Sequence, residues 1–400
     1  MSEPIRVLIA DDMSKKAVEI LQQAGFSVDY KVGLPPADLA AIIGEYHGLG
    51  IRSATKVTPA ILANPGKLKI IGRAGVGVDN IDVKTATEKK VLVINTPQGN
   101  AAAAAELSVG LIFALARKIP QAAQSMRQGI WEKKKYMGTE IAGKTLGVIG
   151  LGNIGRQVAE RAVGLKMNVL GYDPYVATGT ALPGGVKVTA LPELIEKSDF
   201  ITLHVPMLPE TKDLFNAATI AKMKKGSYLI NVARGGIVDE NAVLEALKSG
   251  HLAGAALDVF SKEPPEPSPL FAEENLIAIP HLGASTREAE DNCAIMVVDQ
   301  VRDYLEQGNL QNAVNFPDAA MPREAPFRLA IANANVPDML SSISHTLGRR
   351  KINIHNMLNK SKGEMAYTLV DADSPVPSDV IKELAALNGV LAVRYLPVDV

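Results

Sequence analysis

The sequence predicts an α/β protein with two lobes, each a doubly wound parallel sheet, followed by a small C-terminal unit of ferredoxin-like order. Three observations lead to this prediction. Short apolar runs alternate with helical segments through the first hundred residues, and the same alternation restarts at Lys144. After a proline-rich stretch, residues 327–400 have the pattern β-α-β-β-α-β.

The first lobe is predicted from its apolar runs. Residues 5–10, IRVLIA, are typical of a buried strand, and residues 14–25 have helical spacing that ends at Gly25. Four further strand candidates follow: FSVDY, GLGI, KLKIIG and KKVLVIN. Because helical segments separate them, the pattern indicates a parallel sheet with helices on its faces.

A long apolar helix is predicted at 101–118, directly after Asn100, a residue type that favours the N-cap position. Its apolar stretch is too short for a membrane span and contains Glu106, so we expect a buried or interface helix. A second short helix and the basic stretch WEKKKYMGTE follow it.

The second lobe opens with a glycine motif. Gly150, Gly152 and Gly155 form G-x-G-x-x-G between an apolar strand and a predicted helix at 153–166. These glycines permit a tight turn, the approach of a pyrophosphate to the backbone, and close packing of helix on strand. The next strand ends at Asp173, a carboxylate that can accept the ribose hydroxyls and repel a 2′-phosphate. The sequence therefore predicts a Rossmann-like site for NAD.

A second pair of glycines, Gly75 and Gly77, also follows an apolar strand, but it has neither a third glycine nor a long following helix. The sequence fits either a loop whose backbone faces a ligand or a simple turn at this position.

Three polar residues each follow an apolar strand of the second lobe: Arg234, Glu263 and His281. Since ligands bind at the carboxyl ends of such strands, we expect these side chains to meet. Histidine can carry the proton that hydride transfer at a carbonyl requires, a carboxylate can orient its ring, and arginine can bind a substrate carboxylate through two parallel hydrogen bonds. Each residue alone has an ordinary structural explanation, so the hypothesis depends on their coincidence with the glycine motif.

Composition excludes several classes of function. The net charge of −1 and pI near 6.6 provide no basic field for nucleic acid or an acidic membrane. The single cysteine, Cys293, has no disulfide or metal-spaced partner, which fits a reducing compartment. The N-terminus carries Glu3 and lacks the pattern of a secretory signal. We therefore expect a cytoplasmic protein without a metal.

The blocks GLGNIG, NVARGGIVDE, LDVFSKEP and PHLGAS resemble the signature blocks of the D-isomer-specific 2-hydroxyacid dehydrogenases. The blocks IRSATKVT, GRAGVGVDNID, NTPQGN and MGTEIAGKTLG are similar to those of family members that act on 3-phosphoglycerate. The likeness covers essentially the whole chain, and the C-terminal unit resembles an ACT regulatory domain. The resemblance implies NAD-dependent oxidation of 3-phospho-D-glycerate to 3-phosphohydroxypyruvate, the first step of L-serine biosynthesis.

The resemblance also implies a division of the chain and a set of site residues. A substrate-binding lobe is expected from 1–98 with 282–314, a nucleotide-binding domain from 99–281, a linker at 315–326 and an ACT-like domain at 327–400. The implied catalytic residues are Arg234, Glu263 and His281, with His281 as the proton donor. The implied cofactor-binding residues are Val76, Gly150, Gly152, Asn153, Ile154, Gly155, Asp173, Val205, Val232, Asp258, His281, Gly283 and Ala284. The implied substrate-binding residues are Arg52, Ser53, Lys56, Arg73, Gly75, Val76 and Arg234.

Assembly and regulation follow from the same resemblance. Family members form homodimers through the helix at 101–118 and the arm after it, often paired into homotetramers; WEKKK would then reach a neighbour's active site, or it is a solvated basic stretch. Asn333, Asn335 and Asn353 match polar positions of serine-sensing ACT domains, so L-serine is a candidate effector. Asp338 stands where those relatives commonly have glycine. The alternative is that the C-terminal unit serves only in assembly and has a weak effector site or none.

Two other functions remain open. A glyoxylate or hydroxypyruvate reductase would share the family blocks, but an uncharged terminal hydroxyl does not need the cations Arg52, Lys56 and Arg73. A NAD-sensing scaffold that binds protein partners is an alternative from another class, although the intact polar trio argues against it. The sequence leaves open the direction of flux, the substrate preferred in the cell, and dimer against tetramer.

Overall fold

The computed structural model describes residues 4–398 and divides them into two compact units. The first unit runs to Gly99 and resumes at Glu290, and the second is Asn100–Ala289. Among the described residues, none of the helices combines the length and the apolar character that crossing a membrane requires.

The first unit begins with a parallel sheet. Its elements are β1 (Arg6–Ile9), α1 (Lys15–Gln23), β2 (Ser27–Tyr30), α2 (Pro36–Ile42), β3 (Gly48–Ile51), β4 (Ile70–Arg73), α3 (Val83–Glu88) and β5 (Leu92–Ile94). The strand order is β2-β1-β3-β4-β5, and every pairing is parallel. Most residues of β1, β3, β4 and β5 are buried because helices cover a parallel sheet on both faces. The predicted βαβ alternation is confirmed.

The second unit contains the larger sheet. Its elements are α4 (Ala101–Arg117), α5 (Ile119–Arg127), β6 (Thr145–Ile149), α6 (Asn153–Gly164), β7 (Asn168–Tyr172), β8 (Ala181–Leu182), β9 (Val186–Val188), α7 (Leu191–Lys197), β10 (Phe200–Leu203), α8 (Ala217–Ile220), β11 (Ser227–Asn231), α9 (Glu240–Lys248), β12 (Leu252–Leu257) and β13 (Leu276–Ala278). The order is β13-β12-β11-β10-β6-β7-β9-β8, parallel except for the short edge strand β8. The motif-bearing strand β6 therefore lies centrally, where the strand order reverses, which is where such sheets bind ligands.

Asn100 does not cap α4 as predicted. It occupies the N-cap position, but its side chain makes no capping hydrogen bond. Its Oδ1 atom is buried, and within the described part of the chain it has no hydrogen-bond partner. The residue type favours a cap, but its backbone, at φ −117° and ψ 7°, lacks the extended conformation that an N-cap residue usually has.

The chain then returns to the first unit. The remaining elements are α10 (Arg287–Gln307), β14 (Phe327–Ala334), α11 (Met339–Arg349), β15 (Ile354–Lys362), β16 (Met365–Ala372), α12 (Ser378–Ala385) and β17 (Val390–Pro397). The four strands form an antiparallel sheet in the order β15-β16-β14-β17. The predicted β-α-β-β-α-β order is present.

The residues between α10 and β14, predicted to be a linker, are packed in the first unit. Phe316, Ala319 and Met321 are buried, and Leu310 forms a β-bridge with Ala319. The same hydrophobic core contains residues of β1 and α10 together with Tyr367 and others from the C-terminal sheet. The C-terminal sheet is therefore joined to the first unit by a continuous apolar core.

A buried ion pair reinforces this junction. The guanidinium of Arg328 donates to both carboxylate oxygens of Asp371, at 2.6 and 2.8 Å, and both side chains are fully buried. Its remaining hydrogens go to the carbonyl oxygens of Met321 and Pro322, both at 3.0 Å. Arg328 thus ties β14 and β16 to the segment that follows α10, and complete hydrogen bonding offsets the desolvation of its charge.

We predict that Arg328→Met lowers the free energy of unfolding by about 3–5 kcal/mol, because it leaves the Asp371 carboxylate buried without its cation. The matched control is Arg350→Met, which removes an exposed arginine from its surface pairs with Asp379 and Glu383 and should cost about 0–1 kcal/mol. Urea unfolding followed by circular dichroism measures both. Equal losses in the two variants would show that the buried pair contributes no more than a surface pair.

Candidate active site

The glycine loop joins β6 to α6 in the second unit. Gly150 has φ +92°, and a Cβ there would lie 2.4 Å from the carbonyl oxygen of His204. A Cβ on Gly155 would lie 1.8 Å from the carbonyl oxygen of Gly150, so the helix can pack this closely only on glycine. A Cβ on Gly152, the N-cap of α6, would meet no described atom within 4 Å. The backbone at Gly152 therefore leaves room for a pyrophosphate at the positive end of a helix, which fits a dinucleotide.

Asp173 lies directly after β7 and is fixed against this loop. One carboxylate oxygen accepts the amide of Leu151 at 2.8 Å, and the other accepts the amide of Tyr175 at 2.9 Å. A carboxylate has about four lone-pair positions, so acceptor capacity remains for ribose hydroxyls. Asn153 and Ile154 are the first two residues of α6, and Val205 and Val232 follow β10 and β11. The predicted cofactor positions of the second unit thus lie at the carboxyl ends of neighbouring strands.

Glu263 and His281 form the predicted pair. The Nδ1 atom of His281 lies 2.7 Å from the carboxylate of Glu263, whose other oxygen accepts the amide of Phe260 at 3.1 Å. Both side chains are accessible, at 49% and 37% of their surface. An ionised carboxylate only accepts hydrogen bonds, so Nδ1 carries the proton and Nε2 presents a lone pair. This is the tautomer that a proton acceptor needs.

A buried carboxylate shapes the turn that carries His281. Asp258 is fully buried, and its two oxygens accept the amides of Leu282 at 2.6 Å and Gly283 at 2.8 Å. Its carbonyl oxygen accepts the amide of His281 at 2.8 Å, and His281 has φ +55°, a left-handed conformation that residues other than glycine seldom adopt. Burial raises the pKa of Asp258, and the two amide donors oppose that rise. Asp258, which is predicted to bind the cofactor, is seen here to position the turn, and Gly283 and Ala284 continue it.

Arg234 lies after β11 and is half-buried. Its Nη1 donates to the carbonyl oxygen of Ala233 at 2.7 Å. The buried side chain of Asn231 donates to the carbonyl oxygen of Arg234 at 2.9 Å and accepts the amide of Ala233 at 3.0 Å. Asn231 thus closes the turn that presents Arg234, a role that its position at the end of a strand did not reveal.

In the first unit, two residues that the sequence did not single out hold the loop carrying Arg52, Ser53 and Lys56. The carboxylate of Asp11 accepts the amide of Arg52 at 2.6 Å and the hydroxyl of Thr55 at 2.5 Å. The amide group of Asn80 donates to the carbonyl oxygens of Arg52 and Thr55, both at 2.7 Å. Ser53 and Lys56 are exposed on this fixed loop.

The second predicted substrate loop is more constrained than expected. The amide of Gly75 donates to the Thr96 hydroxyl at 2.7 Å, so it has no hydrogen left for a ligand. A Cβ on Gly75 would lie 1.9 Å from Nη1 of Arg73, which means that the guanidinium rests against the glycine backbone. The carbonyl oxygen of Val76 accepts the Asn95 side chain at 2.6 Å. Glycine at position 75 therefore makes room for Arg73.

A cavity of about 360 Å³ lies in the C-terminal sheet region, between the end of β14 and the start of α11. Asn333, Asn335 and Asp338 line it. The side chain of Asn333 is buried and bonded to the Thr368 hydroxyl at 3.2 Å, and that of Asn335 donates to the Gly363 carbonyl oxygen at 3.0 Å. Asn353 is absent from the lining residues, and it donates to Asp373 at 2.5 Å. The structure therefore brings two of the three predicted asparagines to one cavity.

Two further observations bear on the chemistry. Among residues 4–398, no group of three histidine, cysteine or carboxylate side chains is arranged to hold a metal ion. His204 follows β10 beside the glycine loop, with Nε2 3.0 Å from the hydroxyl of Thr202. Burial lowers the pKa of His204 to about 3, so its ring is neutral near pH 7.

Comparisons with known proteins show which sequences the chain resembles. Residues 109–283 match the NAD binding domain of the D-isomer specific 2-hydroxyacid dehydrogenases. The chain is 49% identical over 310 residues to D-3-phosphoglycerate dehydrogenase of Homo sapiens, covering 78% of this chain and 58% of that one. It is 46% identical over 321 residues to D-3-phosphoglycerate dehydrogenase of Methanocaldococcus jannaschii, covering 80% and 61%.

A solved structure extends the comparison to the fold. The TT0316 protein from Thermus thermophilus matches with a TM-score of 0.71 at 34% identity, covering 78% of this chain and 100% of that one. The matches to the two dehydrogenases span 58% and 61% of those proteins' own length.

We predict that His204 makes the second unit less stable in acid. Its pKa in the folded protein, about 3, lies below the ordinary 6.5, so protons bind the unfolded chain more readily. The stability that neutral His204 provides is therefore complete above pH 6.5 and is lost as the pH falls toward 3, by up to ~1.4 kcal/mol per pH unit.

His204→Gln should reduce the decrease of the unfolding free energy with falling pH, whereas His345→Gln, which removes an exposed histidine, should not. Unfolding free energies measured by urea titration between pH 7 and about 5.5, above the range in which most carboxylates titrate, test the difference. Identical pH slopes for wild type and His204→Gln would contradict the burial of a neutral ring.

Proposed function

We propose that the chain is a D-isomer specific 2-hydroxyacid dehydrogenase and that it oxidises 3-phospho-D-glycerate to 3-phosphohydroxypyruvate with NAD, the first step of L-serine biosynthesis. The observation that carries the proposal is the 2.7 Å contact between His281 and Glu263 in the unit that contains the dinucleotide loop. NAD, when bound, accepts the hydride. The remaining chemistry is the transfer of one proton and the binding of an anion.

His281 supplies the proton transfer. With Nδ1 bonded to Glu263, Nε2 takes the hydroxyl proton of the substrate as the carbinol carbon loses its hydride, and it returns a proton in the reverse reaction. Glu263 holds the ring in this orientation and stabilises the imidazolium that forms. The exposure of both side chains leaves the ring accessible to a substrate.

Arg234 is proposed to bind the substrate carboxylate. A planar guanidinium can form two parallel hydrogen bonds to a carboxylate and polarise the adjacent carbonyl. Its Nη1 donates to the Ala233 carbonyl oxygen at 2.7 Å, so the guanidinium lies close to the turn from which it extends. The turn closed by Asn231 fixes the backbone from which it extends.

The cations of the first unit favour a phosphorylated substrate. Arg52 and Lys56 lie on one fixed loop, and Arg73 rests against the next. Glycerate, hydroxypyruvate and glyoxylate have no second anionic group for these cations. A glyoxylate or hydroxypyruvate reductase remains the second candidate, because the glycine loop and the His281–Glu263 pair would serve it equally well.

NADH formation measured at 340 nm tests the proposed function. Supplied with NAD, the protein should use 3-phosphoglycerate with a kcat/KM at least tenfold higher than D-glycerate or D-lactate, which lack a second anionic group, since one charge-assisted hydrogen bond is worth about 1.5–3 kcal/mol. A preference for glycerate would support the reductase instead. The absence of turnover with every acid would favour a NAD-binding scaffold.

We predict that His281→Asn lowers kcat about 10²–10⁴-fold, because the variant lacks the proton carrier. NADH affinity, measured by fluorescence titration, should stay within a few fold of wild type. His251→Asn is the matched control, since the ring of His251 contacts the Ile220 carbonyl oxygen elsewhere in the unit. A wild-type kcat in His281→Asn would remove this histidine from the mechanism.

We further propose that the protein forms homodimers through α4 and the arm after it. Large apolar side chains of this arm are exposed, with Trp131 and Met137 each at 77%. Apolar side chains grouped in one segment of a monomer indicate a protein contact. Sedimentation velocity distinguishes monomer, dimer and tetramer, and a monomer at micromolar concentration would contradict the proposal.

We also propose that the C-terminal unit is an ACT-like domain and that the cavity beside Asn335 is its effector site, with L-serine as the candidate ligand. Its β-α-β-β-α-β order and four-stranded antiparallel sheet support this assignment. Asp338 adopts φ +65°, the conformation that glycine takes without strain, so the substitution changes charge more than backbone shape.

We predict that L-serine inhibits the enzyme and that Asp338→Gly lowers the concentration needed, because the variant removes a negative charge from a cavity that would hold the ligand carboxylate. Asn335→Ala should abolish the inhibition, and D-serine is the control ligand. These point variants are cleaner than deletion of the C-terminal unit, which would expose the core it shares with α10. No inhibition by millimolar L-serine in wild type or Asp338→Gly would leave the unit without a serine-sensing role.

A further inference from the structure

The guanidinium of Arg52 is already paired within the first unit. Its Nη2 donates to the carboxylate of Glu290 at 2.7 Å, and its Nη1 donates to the carbonyl oxygen of Asp12 at 3.0 Å. Sequence patterns gave no sign of this pair, since 238 positions separate the two residues. An arginine proposed to bind the substrate phosphate therefore holds a carboxylate of its own chain.

Both partners extend from fixed backbone. The loop at Arg52 is fixed by Asp11 and Asn80. Glu290 lies in the first turn of α10, and Arg394 holds the far end of this helix by donating to the carbonyl oxygens of Tyr304 at 2.9 Å and Leu305 at 2.8 Å. The backbones consequently return the two side chains to the same place whenever the pair separates.

The pair itself is open to solvent. The side chains of Arg52 and Glu290 are 31% and 44% exposed. Ion pairs with this exposure contribute little to stability, so a stronger anion can replace the carboxylate at small cost. A phosphate offers more negative charge and three acceptor oxygens to the same guanidinium.

We propose that Glu290 is an internal competitor for Arg52: its carboxylate occupies Nη2 in the empty protein and yields that position to the phosphate of the substrate. The identity of the phosphate rests on the proposed function. Glu290 keeps the guanidinium oriented before binding and, once displaced, repels the bound anion, which weakens ground-state affinity without touching the reacting carbon. Glu290 is thus a positioning residue that sets the affinity for the anion.

Glu290→Gln tests the exchange, with Asp291→Asn as the matched control. The control removes the same charge from the same helical turn but breaks a different pair, Lys16–Asp291 at 3.0 Å. In Glu290→Gln, KM for 3-phosphoglycerate should fall about two- to tenfold with kcat unchanged, and the dissociation constant of inorganic phosphate, measured by calorimetry, should fall by a similar factor. This increase in phosphate affinity should become smaller in about 0.5 M salt, which screens exposed charges.

The phosphate titration separates this inference from the proposed function. If wild type does not oxidise 3-phosphoglycerate, the proposed function fails, while the comparison of phosphate affinities still decides whether Glu290 competes. Loss of the gain in an Arg52→Gln/Glu290→Gln double variant supports competition at Arg52. Unchanged phosphate affinity in Glu290→Gln, an equal gain in Asp291→Asn, or a fall in kcat instead of KM overturns the inference.

Discussion

The candidate active site depends most on one buried carboxylate. Asp258 accepts two consecutive amides, from Leu282 and Gly283, and its own carbonyl oxygen accepts the amide of His281. These bonds hold His281 in a left-handed conformation that residues other than glycine seldom adopt. The ring then reaches Glu263 at 2.7 Å. Without the Asp258 turn, the strand-end histidine would have no fixed direction, and the tautomer that the mechanism needs would not be defined.

In the first unit, side chains from separate segments fix the proposed anion-binding loop. Asp11 and Asn80 hold the backbone, Glu290 holds the guanidinium of Arg52, and the buried pair of Arg328 with Asp371 joins the C-terminal sheet to the same unit. Because α10 carries Glu290 at one end and is bound by Arg394 near the other, the C-terminal sheet and the Arg52 loop share one helix.

Local pattern was sufficient to predict much of this protein. Apolar runs located the strands, the glycine motif located the dinucleotide loop, and strand-end position identified the Glu263–His281 pair. The same rule applied to β1 would have found Asp11, which follows an apolar strand in IADD. The TPQGN stretch shows where local pattern fails as a predictor, because Asn100 has the right residue type and position for a cap but does not act as one.

What could not be predicted depends on contacts between distant segments. Three contacts of this kind are hydrogen bonds made by side chains. They join Arg52 to Glu290, Gly75 to Thr96, and Asn231 to the Arg234 turn. Residue type and periodicity do not determine such partners, because the fold brings them together only after the strands have packed. The packed residues at 315–326 are similar: their prolines indicate a linker, but burial of Phe316 and Met321 depends on the core beneath them.

The most direct test of whether Asp258 positions His281 is kcat of Asp258→Asn at saturating NAD and substrate, with NADH affinity measured in parallel. Asparagine keeps the shape of the side chain but replaces one of the two carboxylate oxygens with an NH2 group. This group cannot accept the hydrogen bond of a backbone amide, so the His281 turn loosens. We expect kcat to fall about 10- to 100-fold in a variant that still folds, because small misplacements of a reacting group are costly. NADH affinity should change much less. A wild-type kcat with weakened NADH binding would show that Asp258 serves only the cofactor and would contradict the claim that it positions His281.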